Sequence, residues 1–552
     1  MTPGAGGARP VPRAGRALLA LVLLDVLVTL GNLWPTPWPR PTGQVSAELL
    51  AACLVLCGWT AWRGAAGAWT VRVLAGVTLA WVLARYLDVT VEAVFGRPLN
   101  PYWDGRHLMS VLRLGGWSTG ATAAAALALL LAAALLFVLL SRCWRAVADV
   151  ASFASWRRAV AGVSLVLLLA CLAAGRVAPQ LRDAIFAKPV APAIARQAGL
   201  LALQMWPGPG ARPLPPSPVF AGQSLAGLHG ADVLVVFLES YGACTVDDAQ
   251  QREALAPARE RLQRALQASG RQAVSMRVRS PTFGGSSWLA HAALMAGVDT
   301  HDPGDYERLL ASDRPSLVSL FRQQGWRTVA WMPGLQRPWP EGGFYGFDRL
   351  ADAQGMGYRG LPLGYWRIPD PAAMALLHQQ ELAAPAAGRA PRFVVFPTLG
   401  SHAPFRPLPP FDGAWARLAT PEAYTPAQIA QALAQPADWS QARPAYLEAI
   451  DATLQWLGSY LAGPAPRALL TVIVGDHQPW AAVSGEGASW DVPVHVISTD
   501  AALLARFEAL GFVPGLAPPP PAAPADTLPM DSLTAVLLAA FDGRAIASLP
   551  RP

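Results

Sequence analysis

Charged residues and cysteines are both scarce in this chain of 552 residues. Only 14% of the residues are charged, whereas 53% are hydrophobic, and the mean hydropathy is +0.30. That balance argues against a wholly soluble protein and predicts membrane-spanning segments beside a large globular domain. The net charge of +7 comes almost wholly from arginines that are scattered rather than clustered, which argues against nucleic-acid binding.

The placement of the cysteines excludes a disulfide within the part of the chain that follows the apolar segments. Four of the five, Cys53, Cys57, Cys143 and Cys171, lie in or beside apolar segments, and only Cys244 comes later. A single cysteine cannot form an internal disulfide. Cysteine usage therefore neither requires nor excludes a location outside the cytoplasm.

Apolar segments occupy much of the first third of the chain. Most of them are close to the roughly 20 residues that a helix needs to cross a bilayer. No cleavage site of small residues follows the first segment, so we expect it to remain as an anchor. The sequence predicts a five-span transmembrane domain over residues 1–176. The apolar segments lie at 16–33, 45–62, 71–86, 120–140 and 159–175.

Arginines predict which loops face the cytoplasm. They precede the first segment and lie in the loops after the second and the fourth, and such positive charge is typical of the cytoplasmic side. Five spans then place everything after Gly175 on the other side of the membrane. The arginines concerned are Arg9, Arg13, Arg16, Arg63, Arg72, Arg142, Arg145, Arg157 and Arg158.

A stretch rich in proline and glycine separates the apolar third from the rest of the chain. Residues 177–230 contain it together with a short amphipathic piece near 193–205, and they predict an interfacial helix followed by a linker. From Ala231 onward, short apolar runs typical of buried strands alternate with helical patterns. Residues 231–552 are therefore predicted to form an α/β domain with a mainly parallel sheet between helices.

Side chains that can bind a metal ion follow several of the predicted strands. Glu239 ends the first apolar run, Asp476 and His477 come directly after a later one, and His402 follows a third. Because α/β folds place ligands at the carboxyl ends of their strands, we expect these side chains at one edge of the sheet. Carboxylate oxygens together with an imidazole suit Zn or Mn. His495, on the next predicted strand, could also reach this edge.

Two hydroxyls stand where a helix is predicted to begin. In the stretch 279–297, an extended run ends in Gly-Gly and is followed by Ser286, Ser287 and an apolar pattern typical of a helix. The unpaired backbone N–H groups of a helix N-terminus favour an oxyanion or a phosphate. The serines could equally do no more than cap a core helix, and Asp370 is interpreted as such a cap before a later helix.

The spacing after these serines resembles the signature of sulfatases and their relatives in the alkaline phosphatase superfamily. In that signature the nucleophile is followed, after one helical stretch, by Leu-x-x-Gly, and counted from Ser287 these positions hold Leu294 and Gly297. With the acids and histidines at the strand ends, the set looks like the membrane-anchored members of the superfamily, the lipoteichoic acid synthases and lipid A phosphoethanolamine transferases. The resemblance covers the predicted α/β domain and the multi-span layout before it.

This resemblance implies a role for each candidate residue. Ser287 is the expected nucleophile, and His402 is expected to bind the substrate phosphate or to assist the leaving group. Ser286, Trp288 and His291 are candidate substrate contacts. The implied ligands of one divalent metal ion, Mn or Zn, are Glu239, Ser287, Asp476 and His477.

Departures from the sulfatases narrow the chemistry. Leu289 and His291 occupy the positions at which sulfatases carry proline or alanine and arginine, so we do not expect conversion of Ser287 to formylglycine. A single acid, Glu239, follows the first predicted strand, where sulfatases have paired aspartates. This difference favours one metal ion.

Taken as a whole, the resemblance implies a membrane-bound, metal-dependent transferase. It would move a phosphoglycerol or phosphoethanolamine type of substituent through a serine-linked intermediate onto an envelope lipid or glycan. It also implies a multi-pass protein of the bacterial inner membrane with a periplasmic or extracellular catalytic domain. Two alternatives stay open: a hydrolase of phosphate or sulfate esters with the same fold, and a non-catalytic sulfatase-like membrane protein.

Overall fold

The chain divides into two compact units, one formed by Met1–Val94 with Pro98–Gly210 and the other by Phe95–Arg97 with Ala211–Pro552. The predicted fold class, an N-terminal bundle with membrane-length helices and an α/β domain with a mainly parallel sheet between helices, is confirmed. The predicted domain limits stay a prediction. A computed structural model describes residues 14–106, 118–205, 213–364, 366–435, 441–523 and 526–544, so Arg9, Arg13 and the linker residues 206–212 lie outside the described residues.

Helices dominate the first unit, and each predicted apolar segment overlaps one of them. These helices are Ala14–Val28, Ala47–Arg63, Ala68–Phe95, Thr119–Ala151 and Ala154–Val177. The last three are long and apolar enough to cross a membrane, whereas the first two have 15 and 17 residues. Five spans and their orientation therefore stay a prediction. The unit also contains the helices Pro179–Ile185 and Ala191–Met205 and an antiparallel pair of short strands, Gly31–Asn32 and Pro39–Arg40.

One sheet organises the second unit. Its nine strands within the described residues are β1 Asp232–Leu238, β2 Gln272–Arg279, β3 Arg327–Trp331, β4 Arg349–Ala351, β5 Arg392–Pro397, β6 Leu469–Gly475, β7 Asp491–Ser498, β8 Val513–Pro514 and β9 Leu528–Pro529. Across the sheet the order is β8, β2, β7, β6, β1, β5, β3, β4, with β9 beside β2. Neighbours from β6 to β4 are parallel, whereas β7 is antiparallel to both β6 and β2.

Helices cover both faces of this sheet, so the central strand is buried along its whole length. All residues of β1 are buried. Val233, Val235 and Phe237 pack into one apolar cluster, because alternate side chains of a strand point to opposite faces. Leu234, Val236 and Leu238 pack into another. The helices of this unit with at least seven residues are Ala249–Ala268, Ser287–Ala296, Pro303–Leu310, Leu317–Gln323, Asp370–Leu377, Pro426–Leu433, Ala442–Ala462, Ala501–Ala509 and Met530–Phe541.

The order of the strands brings three chain segments to one edge of the sheet. β1 lies between β5 and β6 and is parallel to both, so the three strands end on the same side. Glu239 directly follows β1, Asp476 directly follows β6, and the loop that contains His402 follows β5.

A glycine permits close approach of the chain at this edge. An added Cβ on Gly475, the last residue of β6, would stand 2.0 Å from the backbone oxygen of Tyr241 and 3.0 Å from the Cβ atom of Val492. A backbone oxygen cannot swing aside as a flexible side chain can. Any larger residue at this position must therefore push the turn after β1 away from β6.

Replacing this glycine should destabilise the second unit. The Gly475→Ala variant forces the turn after β1 and the end of β6 apart, and overpacking of this kind costs about 1–3 kcal/mol. We expect a lower midpoint of unfolding in denaturant, followed by tryptophan fluorescence of the full chain in detergent. Gly343→Ala is the control, since nothing lies within 4 Å of the Cβ that it adds. Equal midpoints for the two variants would contradict the packing argument.

Candidate metal centre

Three of the predicted metal ligands lie together at the carboxyl edge of the sheet. The ligand atoms of Glu239, Asp476 and His477 all lie within 4.8 Å of one another, and all three residues are buried. The Nε2 atom of His477 is 3.5 Å from Oε1 of Glu239 and 3.6 Å from Oδ2 of Asp476. These side chains form a compact donor set at the ends of β1 and β6.

The fourth predicted ligand, Ser287, faces the same cluster. Its Oγ atom is 3.2 Å from Oε2 of Glu239 and 3.2 Å from Nε2 of His477. Ser287 is the first residue of the helix Ser287–Ala296. Ser286 has φ of 63°, in the left-handed region, and its side chain makes no capping hydrogen bond. A left-handed non-glycine residue is uncommon and marks a sharp turn, which here delivers the Ser287 hydroxyl to the cluster.

Hydrogen bonds fix the orientation of the ligands. The backbone N–H groups of Ser240 and His477 both donate to Oδ1 of Asp476, at 2.7 Å each. The hydroxyl of Ser240 donates to Oε1 of Glu239 at 2.9 Å. Nδ1 of His477 lies 2.7 Å from the carbonyl oxygen of Gln478, which can only accept, so Nδ1 carries the proton and Nε2 presents its lone pair. Two carboxylates, this imidazole nitrogen and a hydroxyl fit a Zn or Mn ion.

Burial sets the proton affinities of the three groups. It raises the pKa of Asp476 to about 6, and the neighbouring Glu239 carboxylate adds to the rise. Burial acts to lower the pKa of His477, but the two carboxylates outweigh it and hold that pKa above its usual value. Burial also acts to raise the pKa of Glu239, yet the charges of His402 and His477 hold it below its usual value. The cluster therefore concentrates negative charge that protons or a cation can neutralise.

His402 is not part of the cluster formed by the candidate metal ligands Glu239, Asp476 and His477. Its loop is tied to Glu239, because the Glu239 N–H donates to Oγ1 of Thr398 at 3.0 Å and the Ser401 hydroxyl donates to the Glu239 carbonyl at 2.5 Å. Nδ1 of His402 lies 2.7 Å from the carbonyl oxygen of Ala403, so Nδ1 carries a proton and Nε2 is left for other partners. The ring meets the indole of Trp366 edge to face, with 4.8 Å between centroids.

Asp370 supports this loop, in a role that differs from the one interpreted from its sequence. Pro369, and not Asp370, is the N-cap of the helix Asp370–Leu377, so the N-cap assignment is wrong. The carboxylate of Asp370 instead accepts the backbone N–H of Leu399 at 2.9 Å and that of Gly400 at 2.7 Å. Because these partners lie on a different loop, no spacing in the sequence signals them.

The remaining candidates surround the start of the serine helix. The ring of His291 packs against Phe237, two residues before Glu239, with 4.2 Å between centroids. Its Nε2 atom is buried without a hydrogen-bond partner among the described residues, and burial lowers its pKa to about 4. Trp288 is partly buried against an apolar cluster that includes Tyr306. Substrate contacts by Ser286, Trp288 and His291 stay a prediction.

The fold and the site together define an α/β domain with a buried candidate metal centre and a serine at a helix N-terminus. No protein-family model and no curated protein matches the chain. Among solved structures, it is similar to the integral membrane lipooligosaccharide phosphoethanolamine transferase A from Neisseria meningitidis, at 14% identity, with 96% of each chain covered and a TM-score of 0.45.

Two further solved structures match about half of this chain. Lipoteichoic acid synthase from Listeria monocytogenes is 13% identical, with a TM-score of 0.32, and a protein in the alkaline phosphatase superfamily from Vibrio parahaemolyticus is 15% identical, with a TM-score of 0.33. The matches cover 49% and 51% of this chain, which spans 65% and 62% of those two proteins. Both groups that the sequence resembles are thus represented among the similar structures.

Metal affinity should fall as the pH drops below about 6. Bound metal requires deprotonated ligands. The pKa of Asp476 is about 6 and that of His477 is raised, so protons compete for both groups at lower pH and leave them at higher pH. Titration of the metal-free full chain with Mn or Zn, from about pH 5 to about pH 8, should show affinity rising with pH and protons released on binding. An affinity that is constant over this range would argue against Asp476 and His477 as ligands.

Proposed function

We propose that this protein is a metal-dependent transferase that moves a phospho-substituent through a covalent intermediate on Ser287. The observation that carries the proposal is the position of the Ser287 hydroxyl, 3.2 Å from both the Glu239 carboxylate and Nε2 of His477. Positive ends of backbone dipoles at the helix N-terminus favour the negative charge that develops on an attacked phosphoryl group. A serine held among metal ligands has the setting of an activated nucleophile.

The chemistry divides between the metal centre and His402. A divalent ion held by Glu239, Ser287, Asp476 and His477 would lower the pKa of the serine hydroxyl and neutralise charge on the phosphoryl group. In the first step, Oγ of deprotonated Ser287 bonds to phosphorus, the bond to the leaving oxygen breaks, and protonated His402 gives that oxygen its proton.

The second step restores the protein. An acceptor hydroxyl bonds to phosphorus and passes its proton to His402, while the bond from phosphorus to Ser287 breaks and the serine leaves in the deprotonated form in which it attacked. Nε2 of His402 is suited to this exchange because Nδ1 is already engaged by the Ala403 carbonyl. Each step exchanges one P–O bond for another.

The helices of the first unit support a lipid donor. Three of them are long and apolar enough to cross a membrane, so the site belongs to a chain that would be anchored in a lipid bilayer. We propose a phosphoglycerol or phosphoethanolamine lipid as donor and an envelope lipid or glycan as acceptor. The proposed location is the bacterial inner membrane, with the second unit in the periplasm or outside the cell, as the arginine-rich loops predict.

Ser287 and Ser286 should behave differently when the purified chain is incubated with envelope lipids. We expect mass spectrometry of the 279–297 peptide to show an adduct, in the wild type and in Ser286→Ala, whose mass identifies the donor group. Ser287→Ala should show no adduct at equal metal content, and only a small fraction of the transferase activity should remain. An adduct that survives in Ser287→Ala but not in Ser286→Ala would move the nucleophile to Ser286.

The same incubation separates the alternatives. An adduct that water releases, with no transfer to any alcohol in the mixture, would show a hydrolase. A wild-type chain that binds neither Mn nor Zn and forms no adduct would be non-catalytic.

His402→Ala should slow transfer while the metal stays bound. His402 lies on a different loop from the ligand cluster and would act on the leaving oxygen, where such proton transfer typically contributes about 10²–10⁴-fold. The measurements are the rate of adduct formation and the metal content of the purified variant. His229→Asn is the control, because the His229 side chain is exposed. The backbone of His229 is in the left-handed region, with φ of 48°, which asparagine tolerates. Loss of metal from His402→Ala would make His402 a ligand instead.

A further inference from the structure

The turn that carries Glu239 has to be held in place by other parts of the fold. Ser240 has φ of 55°, in the left-handed region that costs a non-glycine residue free energy. Its backbone N–H donates to Asp476 at 2.7 Å, and its carbonyl accepts the phenol O–H of Tyr446 at 2.8 Å. A shift of this turn would therefore move Glu239 and disturb Asp476 together.

A buried chain of hydrogen bonds leads away from the next residue of the turn. The hydroxyl of Tyr241 lies 3.1 Å from Nε2 of His495, on β7. Nδ1 of His495 lies 2.6 Å from Oγ of Ser275, on β2, and that hydroxyl donates to the carbonyl oxygen of Gly515 at 2.5 Å. The three side chains are at most 1% exposed. His495 thus reaches the turn after β1 through Tyr241 and does not join the ligand cluster.

Only one direction of proton donation satisfies this chain. The Gly515 carbonyl can only accept, so it takes the single proton of the Ser275 hydroxyl. Oγ of Ser275 must then accept from Nδ1–H of His495, which leaves Nε2 to accept the proton of Tyr241. Burial lowers the pKa of His495 to about 3, so the imidazole is neutral, as the chain requires.

We propose that His495 is a positioning residue for cation binding, which orients Tyr241 and through it the turn that aims Glu239 at Asp476 and His477. The inference rests on the proposed metal centre. Its physical basis is that loss of the imidazole acceptor leaves the buried Tyr241 hydroxyl with the side chain of Thr245 as its neighbouring partner, and this change drives the phenol to reorient. The Tyr241 backbone oxygen also packs closely against Gly475, which directly precedes Asp476. Movement of Tyr241 would therefore displace Asp476 as well as Glu239.

The test compares metal affinities of the full chain, purified free of metal in detergent, by chelator competition with Mn and with Zn. Tyr241→Phe and His495→Leu should each weaken binding by about tenfold to a hundredfold, the usual effect of losing an outer partner of a metal site. The double variant should bind metal as tightly as the single variant with the lower affinity, because the two changes remove the same hydrogen bond. His495→Gln, which can accept from Tyr241 and donate to Ser275, should recover most of the affinity.

A matched control removes the same kind of contact elsewhere. The hydroxyl of Tyr460 lies 3.2 Å from Nδ1 of His378, so Tyr460→Phe deletes a tyrosine–histidine hydrogen bond that does not touch the turn. This variant should bind metal as the wild type does. A merely structural role for His495 would lower the unfolding midpoint of its variants and leave the affinity of the folded chain unchanged.

The outcomes separate the two proposals. If the wild type binds the ion and the Tyr241 and His495 variants bind it equally well, the positioning role fails and the proposed function stands. If the wild type binds no ion, the proposed function fails and this inference falls with it. Nitrogen NMR of protein that carries isotope-labelled histidine gives a check that needs no metal. The signals of His495 are those that disappear in His495→Gln. A proton on Nε2 of His495 would overturn the hydrogen-bond chain.

Discussion

Two acids buried side by side are the constraint on which the second unit depends. Glu239 is 6% exposed and Asp476 is 1% exposed, and burying like charges together costs several kcal/mol unless partners compensate. The fold offers the Ser240 N–H, the imidazole of His477 and the start of a helix. The position of β1 between two parallel neighbours, the missing side chain at Gly475 and the left-handed turn at Ser240 all serve to bring these groups into contact.

This edge of the sheet could be predicted because each of its parts has a local signal. An apolar run that ends in Glu239 and another that ends before Asp476 and His477 indicate buried strands, and parallel strands end on the same side. A pair of glycines before two serines and an apolar helical pattern indicates a sharp entry into a helix. The left-handed φ of Ser286 marks the turn that delivers the Ser287 hydroxyl to Glu239 and His477, and Ser287 is the serine that the signature spacing indicates.

The supports of the site could not be predicted, because they join residues that no periodic pattern relates. Tyr241 and His495 are 254 positions apart, and they meet because β7 runs antiparallel beside β6. Asp370 looks like a cap since it begins a helix, but the free amides of a loop 29 positions later compete for its carboxylate. The first two apolar segments show that hydropathy predicts the place of a helix better than its length. Their helices have 15 and 17 residues, because helix length depends on where the chain turns.

Asp232 begins β1 and Glu239 directly follows this strand, and the surroundings of these two buried acids differ. Asp232 is 3% exposed and lies 2.5 Å from the guanidinium of Arg389, which neutralises it. At the other end, the imidazole of His477 lies 3.5 Å from Glu239 and 3.6 Å from Asp476, and one imidazole cannot neutralise two carboxylates. The two carboxylates, the imidazole and the Ser287 hydroxyl converge at one place, and a compact cation there could be shared with a substrate oxygen in a way that a fixed guanidinium could not.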